Sequence, residues 1–161
     1  MEDTEFPDYL LKKFTIQCSV YFSDFNNHTM IASCENNSFQ FHGLGPSYHE
    51  DEGKLVFYLY TTTGKGPHGR GTGQVRSKQK LTLNEWHDTC IIKEEDRLHI
   101  EVDGIRNTVC LSDVGLENEE DFIMKPTGNI ILMGDTAEKS LHGKIKDFQI
   151  VLSNKHKSAR K

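Results

Sequence analysis

Lys65, His68, Arg70, Arg76, Lys78 and Lys80 crowd into one short stretch of this chain. From Thr61 to Lys80 there is no Asp or Glu, although the 161 residues together carry a formal charge of −5. Gly64, Gly66, Gly69, Gly71 and Gly73 are interspersed among the cations. A backbone that free lets guanidinium, ammonium and amide groups converge on one sulfate, phosphate or carboxylate. The spacing is not that of a nucleotide-binding G-x-x-x-x-G-K-S/T loop. Anion recognition is the chemistry these residues could do. The bland alternative is a solvated loop whose charge serves only solubility.

Other chemistries find less support. Glu50, Asp51 and Glu52, with Asp135 and Glu138, supply carboxylates for a calcium site, but such a site needs six to eight oxygens converging from separate loops. An exposed acidic turn is the simpler reading. The eight histidines show no H-x-x-x-H or H-E-x-x-H spacing, so no zinc site is expected. A retaining glycosidase of the single-strand type would need E-x-D-x-x-E; Glu101-Val102-Asp103 runs into Gly104 and lacks the third acid. No G-x-S-x-G elbow occurs either. Neither an enzyme nor a cofactor site is expected. Trp86, the single tryptophan, is expected to pack in the core or at its rim, since lone tryptophans in sandwiches pack more often than they stack on sugars.

The elements that must carry these groups are strands. Phe14, Ile16, Cys18, Val20 and Phe22 alternate with polar residues, a period-two pattern with one buried face. Short strands are expected at Met30–Ala32 and Phe39–Phe41, and Leu55–Tyr60, apolar on both faces, reads as a central strand. Thr61–Lys80 reads as a long loop or ragged hairpin. Then comes a meander. Trp86 precedes Cys90-Ile91-Ile92, Asp96 interrupts, and Leu98, Ile100 and Val102 alternate into Asp103-Gly104, a dipeptide suited to a two-residue hairpin. One short helix could lie within 112–121, and another strand within 128–133. In the last strand, 141–152, Leu141 and Ile145 share one parity while Phe148, Ile150 and Leu152 take the other, which predicts a bulge between Ile145 and Phe148. These elements give an all-β class, a sandwich of two antiparallel sheets with at most one short helix.

Length fits a single domain, assigned to 1–153, followed by a basic tail at 154–161 that is expected to be disordered. The acidic charge disfavours nucleic acid as a partner, and no apolar stretch is long enough to span a bilayer. Four cysteines, with no C-x-x-C pair, allow three pairings if oxidised. Asn27 and Asn36 head N-x-S/T triplets, a slight hint of glycosylation and secretion. Met1–Asp8 lacks a signal region. The protein is therefore expected in the cytoplasm if Met1 is its native start, and outside the cell if the chain is trimmed from a longer one. Oligomeric state is not legible.

Glu85-Trp86-His87, the paired strands into Val102-Asp103-Gly104, Ile130–Gly134 and Leu141-His142-Gly143-Lys144-Ile145-Lys146-Asp147-Phe148 together resemble the laminin G-like pattern. That family belongs to the concanavalin A-like jelly-roll sandwiches. The chain is similar to pentraxins in one more respect: Cys18 and Cys90 match the positions of a disulfide that ties an early strand to the one after the tryptophan. The resemblance thus implies a Cys18–Cys90 bridge. It does not imply pentraxin-type calcium binding, because only Asp135-Thr136-Ala137-Glu138 remains where the calcium loop would follow Gly134. Where many laminin G domains have a cysteine after the final-strand glycine, this chain has Lys144. The resemblance implies a non-catalytic, lectin-like recognition module in which rigid sheets present the 61–80 loop to an anionic, heparin-like glycan or an acidic protein surface. An adhesion or scaffold domain without sugar affinity is the alternative, and a glycoside hydrolase of the same fold is the third.

Overall fold

The structure is a computed structural model that describes residues 13–25, 28–34, 39–60, 72–94, 96–110, 130–132 and 142–152. Lys65, His68, Arg70, Asn27, Asn36, Asp135 and Glu138 lie outside these residues, as do the expected short helix and the basic tail. The described chain folds as a sandwich of two five-stranded antiparallel sheets, a jelly roll. Its strands are β1 (Phe14–Phe22), β2 (His28–Cys34), β3 (Phe39–Leu44), β4 (Leu55–Tyr60), β5 (Thr72–Arg76), β6 (Trp86–Glu94), β7 (Arg97–Val102), β8 (Ile105–Cys110), β9 (Ile130–Leu132) and β10 (Gly143–Leu152). One sheet runs β10-β1-β6-β7-β8 and the other β5-β4-β3-β2-β9. A 3₁₀ turn, Pro46–Asp51, bridges β3 and β4. Among the described residues no helix is long and apolar enough to cross a membrane.

The interior is aromatic. Phe57 on β4 sits 5.7 Å from Phe39 and 6.3 Å from Phe41 on the neighbouring strand, and 6.0 Å from Phe14 across the sandwich. Ile16, Val20 and Phe22 from β1, Ile91 from β6 and Leu98, Ile100 and Val102 from β7 close the same core. Each uses every second residue, so period-two patterning alone decides which side chains face inward.

Two turns follow from backbone chemistry. Asp103 and Gly104 both hold positive φ, 51° and 85°, the conformation a two-residue type I′ hairpin requires, and Val102 pairs directly with Ile105. In β10 the pairing slips by one residue between Lys146 and Gln149 opposite Gln17 and Ser19. Asp147 is the extra residue, at φ 57°. The parity flip that predicted a bulge between Ile145 and Phe148 is thereby located.

Within 61–80, expected as a long loop or ragged hairpin, Thr72–Arg76 pairs antiparallel with β4 as an edge strand, the hairpin form of that reading. One expectation needs correction. The bridge between Cys18 and Cys90 is not formed, and both are free thiols. Gln17 stands opposite Cys90 while Cys18 stands opposite Thr89. That one-residue offset turns Cys18 into the core and Cys90 to the outer face, because successive side chains on a strand point to opposite sides.

Candidate functional site on the outer face of the β10-β1-β6 strands

The outward residues of three paired strands form successive rungs. Tyr21 on β1 is in register with Trp86 on β6 and Lys144 on β10. The next rung inward is Lys146, Ser19 and Asp88; the next is Gln149, Gln17 and Cys90. Strands far apart in sequence thus bring aromatic, cationic, carboxylate and amide groups onto one surface.

At the first rung the Tyr21 and Trp86 rings are tilted against each other with centroids 5.5 Å apart. Lys146 Nζ lies 4.3 Å from the centre of the Trp86 ring and Lys144 Nζ 4.9 Å from that of Tyr21. These are cation–π distances. Trp86 is nevertheless 40% exposed, so it stands at the rim, not in the core. Beyond it lies a groove of about 330 Å³ lined by Gln17, Cys18, Ser19, Asp88, Thr89, Asp147 and Gln149. Ser19 Oγ donates to Asp88 Oδ1 at 2.8 Å; Ser19 itself is buried, and the Asp88 carboxylate it holds is exposed.

The loop leading into Trp86 is clamped. His87, buried, has Nδ1 2.6 Å from Asp103 Oδ2, and its Nε2 accepts from the Thr82 amide at 2.9 Å. An Nε2 that accepts assigns the proton to Nδ1, which donates to Asp103. Asp103 Oδ1 also accepts from the Asp88 amide at 2.9 Å. Burial opposes ionisation of Asp103, but the hydrogen bonds from His87 and from the Asp88 amide outweigh it and hold the carboxyl below its ordinary range. These hydrogen bonds tie the hairpin turn and the loop to the start of β6, next to Trp86.

The loop cations fare unevenly. Lys78 and Lys80 are exposed between β5 and β6. Arg76 is not a free cation: its guanidinium bonds Asp51 and lies 5.5 Å over the Tyr48 ring, while Asn107 Nδ2 donates to its carbonyl at 2.7 Å. Lys54 Nζ reaches the other Asp51 oxygen at 2.9 Å. The hydrogen bonds from Lys54 first, then Arg76, hold Asp51 below its ordinary range. Asp51 of the acidic turn is thus occupied internally. Of the glycosidase near match, Glu101 pairs with Arg106 at 2.6 Å and Asp103 with His87. Among the described residues no group of three or more His, Cys, Asp or Glu is placed to hold a metal ion.

The aromatic–lysine site was missed by sequence reasoning. Its one local signal is Lys144-Ile145-Lys146, where alternation puts both lysines on one face. Pairing that face with Tyr21 and Trp86 needs the register of three strands.

No protein-family profile matches the sequence, and no curated protein matches it significantly. Solved structures do match in fold. A heptameric SAP-like pentraxin from Limulus polyphemus superposes with a TM-score of 0.60 at 15% identity, covering 93% of this chain and 66% of the pentraxin. A protein from Bacteroides ovatus described as carbohydrate-binding gives 0.65 at 14% identity, over 92% of this chain and 39% of that one. Domains LG4-5 of the mouse laminin alpha1 chain give 0.58 at 12% identity, over 91% and 36%. The chain thus spans two thirds or less of each of these neighbours. This chain shares the two-sheet jelly-roll fold of the pentraxin and laminin neighbours.

Proposed function

We propose that this chain is a non-catalytic recognition module that binds an anionic glycan on the outer face of the β10-β1-β6 strands. The observation that carries the reading is the exposed Trp86, packed against Tyr21, with Lys146 over its own ring and Lys144 over that of Tyr21. A sugar ring presents an apolar face that packs on an aromatic surface, and the two ammonium groups beside it complement sulfate or carboxylate. The carbohydrate-binding description of the Bacteroides ovatus neighbour supports the same class of ligand. Lys65, His68, Arg70, Lys78 and Lys80 are proposed as a second contact for a longer anionic chain; Arg76, engaged with Asp51, is left out.

The test is an array of neutral, carboxylated and sulfated glycans probed with the wild type, a Trp86→Ala variant and a Lys144→Ala, Lys146→Ala variant. Binding to acidic glycans that Trp86→Ala abolishes and the lysine variant weakens at least tenfold is expected. A folded protein that captures no glycan would overturn the reading and favour a protein-binding surface instead. Loss of binding on alanine substitution of Lys78 and Lys80 alone would move the site to the 61–80 segment.

A further inference from the structure

The groove beside Trp86 has the opposite electrostatic character from its rim. Asp88 and Asp147 both line it, with Gln17, Gln149 and Ser19, and no lysine or arginine does. Lys144 and Lys146 stand instead over the aromatic rings. Asp147 reaches this position through the bulge: its φ of 57° takes it out of the alternation that would otherwise govern β10, and bulges re-aim side chains in this way. Asp88, exposed, offers its second carboxylate oxygen, while the buried Ser19 hydroxyl donates its hydrogen bond to Asp88 Oδ1 and orients that carboxylate. Gln17 and Gln149 each carry an acceptor and two donors.

Such a surface repels sulfate and carboxylate and accepts hydroxyl protons. We infer that the groove is a subsite for a neutral, hydroxyl-rich sugar ring, and that the ligand runs along β1 with its anionic group at Lys144 and Lys146 and an uncharged ring at Gln17, Ser19, Asp88 and Gln149. This rests on the glycan reading above and adds its polarity. Outward residues of β1 repeat at roughly 7 Å along the strand, so Tyr21, Ser19 and Gln17 span a short oligosaccharide, not one ring. The preferred ligand therefore has charged and uncharged rings in sequence. A uniformly sulfated chain would place an anion against two carboxylates.

The experiment titrates the protein with three probes, following the fluorescence of its single tryptophan. They are inorganic sulfate, a neutral tetrasaccharide of glucose, and a tetrasaccharide in which sulfated and unsulfated rings alternate. The alternating probe is expected to bind at least tenfold more tightly than either other. An Asp88→Asn, Gln149→Ala variant is expected to lose that advantage while its response to sulfate stays within twofold. Asn retains the acceptor that Ser19 requires, and Gln149 is exposed, so the fold is preserved. Should the variant misfold, the wild type is titrated with the alternating probe after O-methylation of its unsulfated rings, and a tenfold loss is expected. If that probe binds as tightly as the parent, or if the variant keeps its full advantage, the groove does not read hydroxyls; glycan binding at Trp86 would then stand without it. A fully sulfated tetrasaccharide that binds more tightly than the alternating one also overturns the inference.

Discussion

Gly143 opens β10 opposite Phe22, and any side chain there meets the backbone of β1. A Cβ built on Gly143 would lie 1.8 Å from the Tyr21 carbonyl oxygen and 2.8 Å from its carbon. Normal contact between such atoms is about 3.5 Å, so Gly143→Ala forces the two strands apart by more than an ångström. No flexible side chain can absorb the clash. The Ser23 amide bond to His142 O, 2.7 Å, lies at the same junction and would be strained with it. Overpacking costs about 1–3 kcal/mol, and a backbone-on-backbone contact belongs at the top of that range. For a chain of this size, about 3 kcal/mol lowers Tm by about 6–12 °C. The assay is thermal unfolding followed by circular dichroism, with Gly104→Ala as the comparison. Gly104 has open space around it but a φ of 85°, so its alanine costs only the left-handed strain of roughly 1–2 kcal/mol. Gly143→Ala should be the worse of the two. A Tm within about 1 °C of wild type, or a larger loss for Gly104→Ala, would refute the steric argument.

Four further outcomes are expected. Phe57→Ala, which empties the centre of the aromatic core, should destabilise by about 3–5 kcal/mol in urea unfolding. Acid should weaken the fold in a defined window: Asp51 and Asp103 titrate lower in the folded protein than in the unfolded chain, so their contribution is whole above the unfolded value, near pH 4, and is lost as pH falls through their folded values. Asp51→Asn and Asp103→Asn should each flatten part of that acid limb in stability-versus-pH curves. Intact mass with and without reduction should give no Cys18–Cys90 bridge, and alkylation of the native protein near pH 8 should leave Cys18 unmodified while Cys110 reacts, because burial pushes the Cys18 thiol up to about 11. Arg76→Ala should lower Tm without changing affinity for sulfated glycans, since its guanidinium serves Asp51.

Patterns contained within one strand were legible in the chain. Phe14–Phe22 was bounded by its alternation alone, Asp103-Gly104 announced its hairpin, and the mismatch between Ile145 and Phe148 located a bulge before any pairing was known. Strand β5 was legible only as an arm of a ragged hairpin, without bounds, because Gly73 and its polar neighbours carry no period-two signal and Val75 is its member of the core cluster. What depended on register was not legible. Cys18 and Cys90 sit on adjacent strands, yet a one-residue offset turns them to opposite faces. The candidate site failed to appear for the same reason: Tyr21, Trp86 and Lys144 are far apart in sequence and share a rung only once β1 lies between β6 and β10. Arg76 looked like one cation among several because its partner Asp51 belongs to a separate turn.

The extra residue at Asp147 switches which residues of the last strand turn inward. Ile145 before it, and Phe148 and Ile150 after it, pack against the core, so losing the extra residue would push grease into water. Lys144 and Lys146 answer only to the surface. Because the irregularity absorbs the change of phase, their side chains can be exchanged without disturbing the interior. A lineage could therefore retune what the tip of this strand recognises, charge by charge, while inheriting the sandwich unchanged.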